Sequence, residues 1–240
     1  MAKDHLFAVP KPVVTDFNFG ADTAAVFDDM LLRSVPYYAE IQRMIGEIAC
    51  EFAVAGTNIY DLGCSTGETI RNLRSVDKEV TFVGIDSSAE MLERADLELK
   101  RANFDRRYVL RQQDLHDNLE IENASVVILC LTLQFVRPLY RERLMRAIAA
   151  GLIHQGCLIL VEKVLAEDSL MNRLFIKFYY DLKRRNGYSD LEISQKREAL
   201  ENVLIPYRLV ENRHLITDAG LHEPEIFFKW YNFCGMLATK

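Results

Sequence analysis

Tyr60-Asp61-Leu62-Gly63-Cys64-Ser65-Thr66-Gly67 begins within residues 57–62, which end in a short apolar run, and precedes a helical pattern from Glu68 to Ser75. Strand, glycine-bracketed turn and helix in that order form the first βα unit of a doubly wound sheet, where ligands collect at the carboxyl ends of the strands. Gly63 and Gly67 let the backbone approach such a ligand without a Cβ in the way. The next strand pattern, Val80 to Ile85, ends at Asp86, 23 residues beyond Gly63. A carboxylate there accepts both hydroxyls of a ribose. A third acidic strand end follows at Asp114.

The glycine spacing departs from the G-x-G-x-x-G of nicotinamide and flavin sites: Ser65 occupies the position two after Gly63, and Asp61 stands in front of the turn. A pyrophosphate is repelled by that carboxylate, whereas an amino acid's ammonium is attracted by it. Asp61-x-Gly63-x-x-x-Gly67 therefore favours S-adenosylmethionine over a dinucleotide.

Strand patterns fall near 57–62, 80–85, 107–111, 125–131 and 157–162, and helical patterns near 67–75, 88–102 and 139–151, the last leading into a turn at His154-Gln155-Gly156. This alternation predicts an α/β fold with a mostly parallel, doubly wound sheet. Ahead of it lie a proline-bearing arm, residues 1–22, and two helices, Ala24 to Leu32 and Tyr38 to Phe52. Two further helices, Leu165 to Arg185 and Ser189 to Val203, interrupt the alternation, and another spans Tyr207 to Ala219. The segments Glu225 to Tyr231 and Phe233 to Thr239 suit an antiparallel pair at the sheet edge. The chain reads as a single domain, 1–240, with N-terminal arm and helices over 1–55. Its insertion, 165–205, is expected above the strand ends as a lid or an oligomer contact.

The 240 residues carry 29 Lys and Arg against 35 Asp and Glu, a net charge of −6, with no long basic run. That balance argues against direct nucleic-acid binding, which requires several phosphates to be neutralised. Five scattered cysteines form no C-x-x-C pair and read as free thiols in a reducing compartment. No segment approaches a membrane span, residues 1–18 lack the apolar core of a secretion signal, and the five histidines show no metal-ligand spacing and read as surface or packing residues. A cytoplasmic protein without a metal is expected.

Within the insertion, Ser189-Asp190-Leu191-Glu192 is a capping box that fixes a helix start. From there Ile193, Arg197, Leu200 and Leu204 share one face, so the Arg197 guanidinium projects from an apolar stripe. A cation in that setting needs a carboxylate partner. An internal ion pair, a side chain snorkelling at the rim and a bidentate clamp on a ligand carboxylate all satisfy the pattern.

Four stretches together carry a family likeness: Arg33-Ser34-Val35-Pro36-x-Tyr38, Tyr60-Asp61-Leu62-Gly63-Cys64-Ser65-x-Gly67, Thr132-Leu133-Gln134-Phe135, and above all the insertion segment from Lys183-Arg184-x-Asn186-Gly187-Tyr188-Ser189 to Ile193-Ser194-Gln195-Lys196-Arg197. The chain resembles the carboxy-S-adenosyl-L-methionine synthase family nearly end to end, and ordinary methyltransferases lack the insertion motif. The resemblance implies a class I methyltransferase (Rossmann-like) fold with a seven-stranded sheet, a homodimer, and a reaction that transfers no methyl group. Prephenate yields phenylpyruvate while the S-methyl of S-adenosylmethionine gains a carboxyl group. The product, carboxy-S-adenosyl-L-methionine, passes to a partner enzyme, a tRNA carboxymethyltransferase, that builds the oxyacetic group on wobble uridine.

By the same resemblance Tyr38, Gly63, Cys64, Ser65, Asp86, Ser87, Asp114 and Leu115 line the cofactor pocket, and Arg197 binds the carboxylate on the modified methyl. Asp86 suits the ribose diol, Asp114 the adenine amino group with the Leu115 backbone beside it, and the backbone from Gly63 to Ser65 the methionine end. The sulfonium makes its methyl protons acidic. The carboxylate leaving prephenate takes one, and the ylide captures carbon dioxide in a closed site, so no catalytic residue of the protein is required. One departure stands out: Cys130 occupies the position where the family typically has Asn, and Ser87-Ser88 replaces Asn-Ser. Two other readings remain open, an ordinary small-molecule methyltransferase and a non-catalytic protein that binds carboxy-S-adenosyl-L-methionine.

Overall fold

The computed structural model describes residues 2–240. Two helices, α1 (Ala21–Ser34) and α2 (Tyr38–Phe52), precede the alternating core. The core runs β1 (Asn58–Leu62), α3 (Glu68–Asn72), β2 (Thr81–Asp86), α4 (Ala89–Arg101), β3 (Tyr108–Gln112), β4 (Ala124–Cys130), α5 (Pro138–Gly151) and β5 (Leu152–Leu165). The insertion folds as α6 (Ser169–Arg185) and α7 (Asp190–Leu200). It is followed by β6 (Tyr207–Arg208), α8 (Leu209–Asp218), β7 (Glu225–Trp230) and β8 (Phe233–Thr239).

Seven strands form one sheet in the order β3-β2-β1-β4-β5-β8-β7, and two-residue β6 pairs β5 off that path. Strands β1 to β5 are mutually parallel, whereas β8 runs antiparallel to β5 and β7. The expected sheet is therefore present, with its antiparallel pair at one edge. Residues Ala124 to Leu129 of β4 are all buried, as a central parallel strand covered on both faces requires. Val126 and Ile128 pack with the α2 and α4 residues Ile41, Ile45 and Leu99, while Val127 and Leu129 face Leu144 and Ile148 of α5 and Ile216 of α8.

Two local expectations need correction. The turn at 154–156 does not precede β5 but bulges within it: Leu152 pairs Ala124, and the register resumes only at Cys157 opposite Val126. Gln155 takes a left-handed φ of 66° at the bulge and donates its amide to the Lys240 carbonyl. The helix expected from Tyr207 starts at Leu209, because Tyr207 and Arg208 pair with Val164 and Leu165 of β5. The N-terminal arm runs along α7: Gln195 donates to the carbonyls of Phe7 and Val9 and accepts from the Lys11 amide, and Phe17 donates to the Ala199 carbonyl.

The loop after β1 is held open by close packing. Gly63 has a φ of +76°, and a Cβ there would meet Thr132 Cγ2 at 2.4 Å. Left-handed backbone costs an L-residue roughly 1–2 kcal/mol, and forced overpacking typically about 1–3 kcal/mol. Gly63→Ala is expected to lower the unfolding free energy from chemical denaturation by an amount in the combined range, with a correspondingly lower midpoint, and Thr132→Ala beside it to recover part. An unchanged midpoint contradicts this packing.

Candidate functional site

The carboxyl ends of the parallel strands open into a cavity of about 1060 Å³. Ligand pockets commonly span roughly 300–1,000 Å³, so there is room for a nucleoside and a second small molecule. Its walls come from α1 and α2, the loops after β1, β2, β3 and β4, the end of β5, and the insertion helices α6 and α7. Tyr38, Gly63, Cys64, Ser65, Asp86, Ser87, Asp114, Leu115, Cys130 and Arg197, the ten residues expected at the site, all line it.

The strand-end half is acidic. Asp86 ends β2 and is buried; its two oxygens accept the amides of Ser65 at 2.9 Å and Ser88 at 3.0 Å, so it ties the first two loops together. Burial raises its pKa against these hydrogen bonds. Asp61 stands behind the lining, with one buried carboxylate oxygen, Oδ2, lacking a partner. Burial, and then the charge of Asp86, push its pKa to about 7. The field of Asp61 reaches Tyr38, Cys64 and Cys130 in the cavity wall and raises the pKa of each, in addition to the larger effect of burial. A cation placed against that wall relieves both the unpaired oxygen and the Asp61–Asp86 repulsion, which is what the ammonium and sulfonium of S-adenosylmethionine supply. Both Cys64 and Cys130 are held as neutral thiols.

Asp114 and His116 act together, a pairing that sequence spacing does not reveal. His116 Nε2 accepts the Arg137 amide at 3.0 Å, which leaves the proton on Nδ1 to be donated to Asp114 at 2.6 Å. Desolvation works to raise the Asp114 pKa, but the His116 amide and ring outweigh it, and the carboxyl sits below its ordinary value. His116 thus belongs to the cavity wall and orients the residue expected at the adenine end. At Cys130, the Gln42 amide donates to the thiol at 3.6 Å and to Thr69 Oγ1 at 3.3 Å, while Gln42 Oε1 remains buried without a partner. A helix α2 side chain therefore contacts Cys130, the residue that stands where the family typically has asparagine.

The insertion half is basic, and here the reading of Arg197 changes. The capping box forms as expected, with the Ser189 and Glu192 side chains and amides bonded reciprocally. The buried face of α7, however, is Glu192, Ile193, Gln195, Lys196 and Ala199, and Arg197 is exposed at the cavity rim. The N-terminal arm causes this, because its carbonyls solvate Gln195 and make the polar side of α7 the covered one. Arg197 has no carboxylate within ion-pair distance among the described residues, whereas Arg184 of α6 pairs with both Asp181 and Asp190. Of the three arrangements that satisfy the sequence pattern, the internal ion pair is not formed.

Three lysines line the same half: the half-buried Lys163 at the end of β5 and the buried Lys183 of α6 and Lys196 of α7. Lys196 lies 3.7 Å from the Asp4 carboxylate. No group of three or more His, Cys, Asp or Glu side chains that could hold a metal occurs among the described residues.

A family model described as a methyltransferase domain matches residues 59–156. Solved structures give the fold: an O-methyltransferase family protein from Burkholderia thailandensis superposes with a TM-score of 0.71 at 15% identity, covering 95% of this chain and 65% of that one. An S-adenosyl-L-methionine-dependent methyltransferase from Methanococcus maripaludis superposes at 0.62 and 18% identity over 96% and 97% of the two chains. The sequence relatives are more specific. The carboxy-S-adenosyl-L-methionine synthase of Methylococcus capsulatus is 52% identical over the whole of both chains, and that of Desulforapulum autotrophicum 44% identical over 100% of this chain and 98% of its own. On that likeness the chain belongs to the carboxy-S-adenosyl-L-methionine synthase family.

Proposed function

We propose that the protein converts S-adenosyl-L-methionine and prephenate to carboxy-S-adenosyl-L-methionine and phenylpyruvate. The observation that carries this reading is the unpaired Arg197 guanidinium on the same cavity as the Gly63 to Ser65 loop, Asp86 and Asp114. Methyl transfer makes no use of a cation there, whereas a carboxylated methyl group brings an acid that needs one. The adenosyl end lies along Asp86, Asp114 and Leu115, the methionine end along Gly63 to Ser65 and Tyr38, and the new carboxylate meets Arg197.

The chemistry balances without a protein acid or base. The carboxylate that prephenate is to lose takes one methyl proton; the ring becomes aromatic as that carboxyl departs as carbon dioxide and its proton leaves with the ring hydroxyl as water; and the resulting ylide carbon bonds to the carbon dioxide. The enzyme supplies proximity, exclusion of bulk water and fixed charge. The neutral Cys130 and Cys64 thiols beside the acidic wall do not compete as nucleophiles. We further infer a homodimer in a reducing, cytoplasmic compartment, in keeping with five free cysteines, and delivery of the product to a tRNA carboxymethyltransferase. The acidic net charge of −6 agrees with an indirect link to tRNA.

Incubation of the purified protein with S-adenosyl-L-methionine and prephenate, read by mass spectrometry, is expected to give a carboxylated cofactor and phenylpyruvate in equal amounts. Their absence from a folded sample overturns the reading. Arg197→Ala is expected to weaken carboxy-S-adenosyl-L-methionine by roughly tenfold or more, the scale of a lost charge-assisted hydrogen bond, and the parent cofactor far less. Equal losses for the two ligands, measured by calorimetric titration, contradict the role given to Arg197.

A further inference from the structure

The insertion half of the cavity carries more positive charge than the protein balances. Lys163 and Lys183 place their ammonium groups 4.7 and 5.3 Å from the Tyr179 ring centroid, and Lys183 and Lys196 both lie 5.6 Å from that of Tyr188. Arg33 stacks on Tyr188 from α1 at 3.9 Å. Against these four cations stand two carboxylates: Asp29, paired with Arg33 at 3.2 Å, and Asp4, paired with Lys196 at 3.7 Å. The Asp4 carboxylate is further occupied by the Tyr188 hydroxyl at 2.6 Å and the Leu6 amide at 3.2 Å. Lys163 and Lys183 have no carboxylate within ion-pair distance among the described residues.

The neighbouring acid on β5 does not compensate. Strand alternation sends Glu162 to the opposite face, where it accepts the Leu133 and Gln134 amides at 2.9 Å and feels the Arg141 charge. Glu198 and Glu201 also line the cavity, from the rim. Burying uncompensated ammonium groups is costly, and proteins otherwise avoid it. Here burial, with repulsion from Lys196 and then Lys163, pushes the Lys183 pKa down to about 7, and burial pushes that of Lys163 to about 8. Such depressed values mark groups waiting for a negative partner.

We propose that Lys163, Lys183 and Lys196 form the seat of a dicarboxylate dianion, which lies across the Tyr179 ring with its carboxylates on the lysines and faces the sulfonium half of the cavity. The local excess of two cations over carboxylates matches the charge of that ligand. Its identification with the carboxyl donor rests on the function proposed above. The Tyr179 face supplies the apolar surface for the donor's ring, and the lysines hold the donor so that carbon dioxide is released inside the cavity.

The test is calorimetric titration of prephenate, and of the monocarboxylate phenylpyruvate as control, into the protein saturated with S-adenosyl-L-homocysteine, which cannot react. Wild type is expected to prefer the dicarboxylate. Lys183→Met and Lys163→Met should each weaken prephenate by roughly tenfold or more, narrow its advantage over phenylpyruvate, leave S-adenosyl-L-homocysteine affinity intact, and leave the thermal midpoint unchanged or raise it, since methionine keeps the packing and removes an uncompensated charge. Prephenate affinity unchanged in both variants overturns the seat, even if turnover is normal. Lysine-sensitive binding of prephenate without any carboxylated product supports the seat and overturns the proposed reaction instead. A wild type that binds no prephenate overturns both.

Discussion

A single buried carboxylate, Asp4, joins the three parts of the chain that enclose the cavity. Its oxygens take the Tyr188 hydroxyl of the α6–α7 turn and the ammonium of Lys196, while its backbone amide donates to Asp29 and its carbonyl accepts from Arg33. Arg33 in turn donates to the carbonyls of Asn186 and Gly187, and Asn186 donates back to the Arg33 carbonyl. Arm, first helix and insertion are thereby locked into one wall. With only 1% of its surface exposed, Asp4 cannot be solvated by water, so removing any partner leaves a charge or a donor stranded. The two most family-specific motifs, around Arg33 and around Tyr188, are the two sides of this contact.

The cavity has two halves of opposite sign. Asp61 and Asp86 crowd at the strand ends, and Lys163, Lys183 and Lys196 crowd beneath the insertion. Each half is uncomfortable alone: the Asp61 pKa is pushed up toward neutrality, and that of Lys183 down to it. Because Asp61 binds its proton more tightly folded than unfolded, it contributes stability below its ordinary value that is lost as pH rises through about 7. Lys183 has the reverse shift, so it destabilises the fold as pH falls through about 7. A cation against the acidic half and an anion against the basic half would relieve both strains.

The β1 loop and Asp86 were legible in the sequence because strand, glycine turn and acidic strand end are local patterns with fixed spacing. The Ser189 to Glu192 capping box was legible for the same reason. Arg197 lines the cavity but from the exposed side of its helix: apolar periodicity assigned the buried face to Ile193, Leu200 and Leu204, and of these only Ile193 is buried, because the arm brings backbone acceptors that cover Gln195 while Lys196 turns in toward Asp4. The lysine cluster could not be found by spacing, since its members come from β5, α6 and α7 and meet only through the tertiary fold. His116 escaped for a related reason, its significance lying in the Arg137 amide that fixes its tautomer. The bulge at Gln155 depends on the Lys240 carbonyl far along the chain, which no local pattern contains.

Proton exchange on binding, measured at pH 7 by calorimetry in buffers of different ionisation enthalpy, tests the two-signed cavity most directly. S-adenosyl-L-methionine should release up to about half a proton as its positive charge lowers the pKa of Asp61, and prephenate should take up a similar fraction as its carboxylates raise that of Lys183. Opposite signs for the two ligands are the predicted result. Exchange of the same sign, or none with either ligand, contradicts the account.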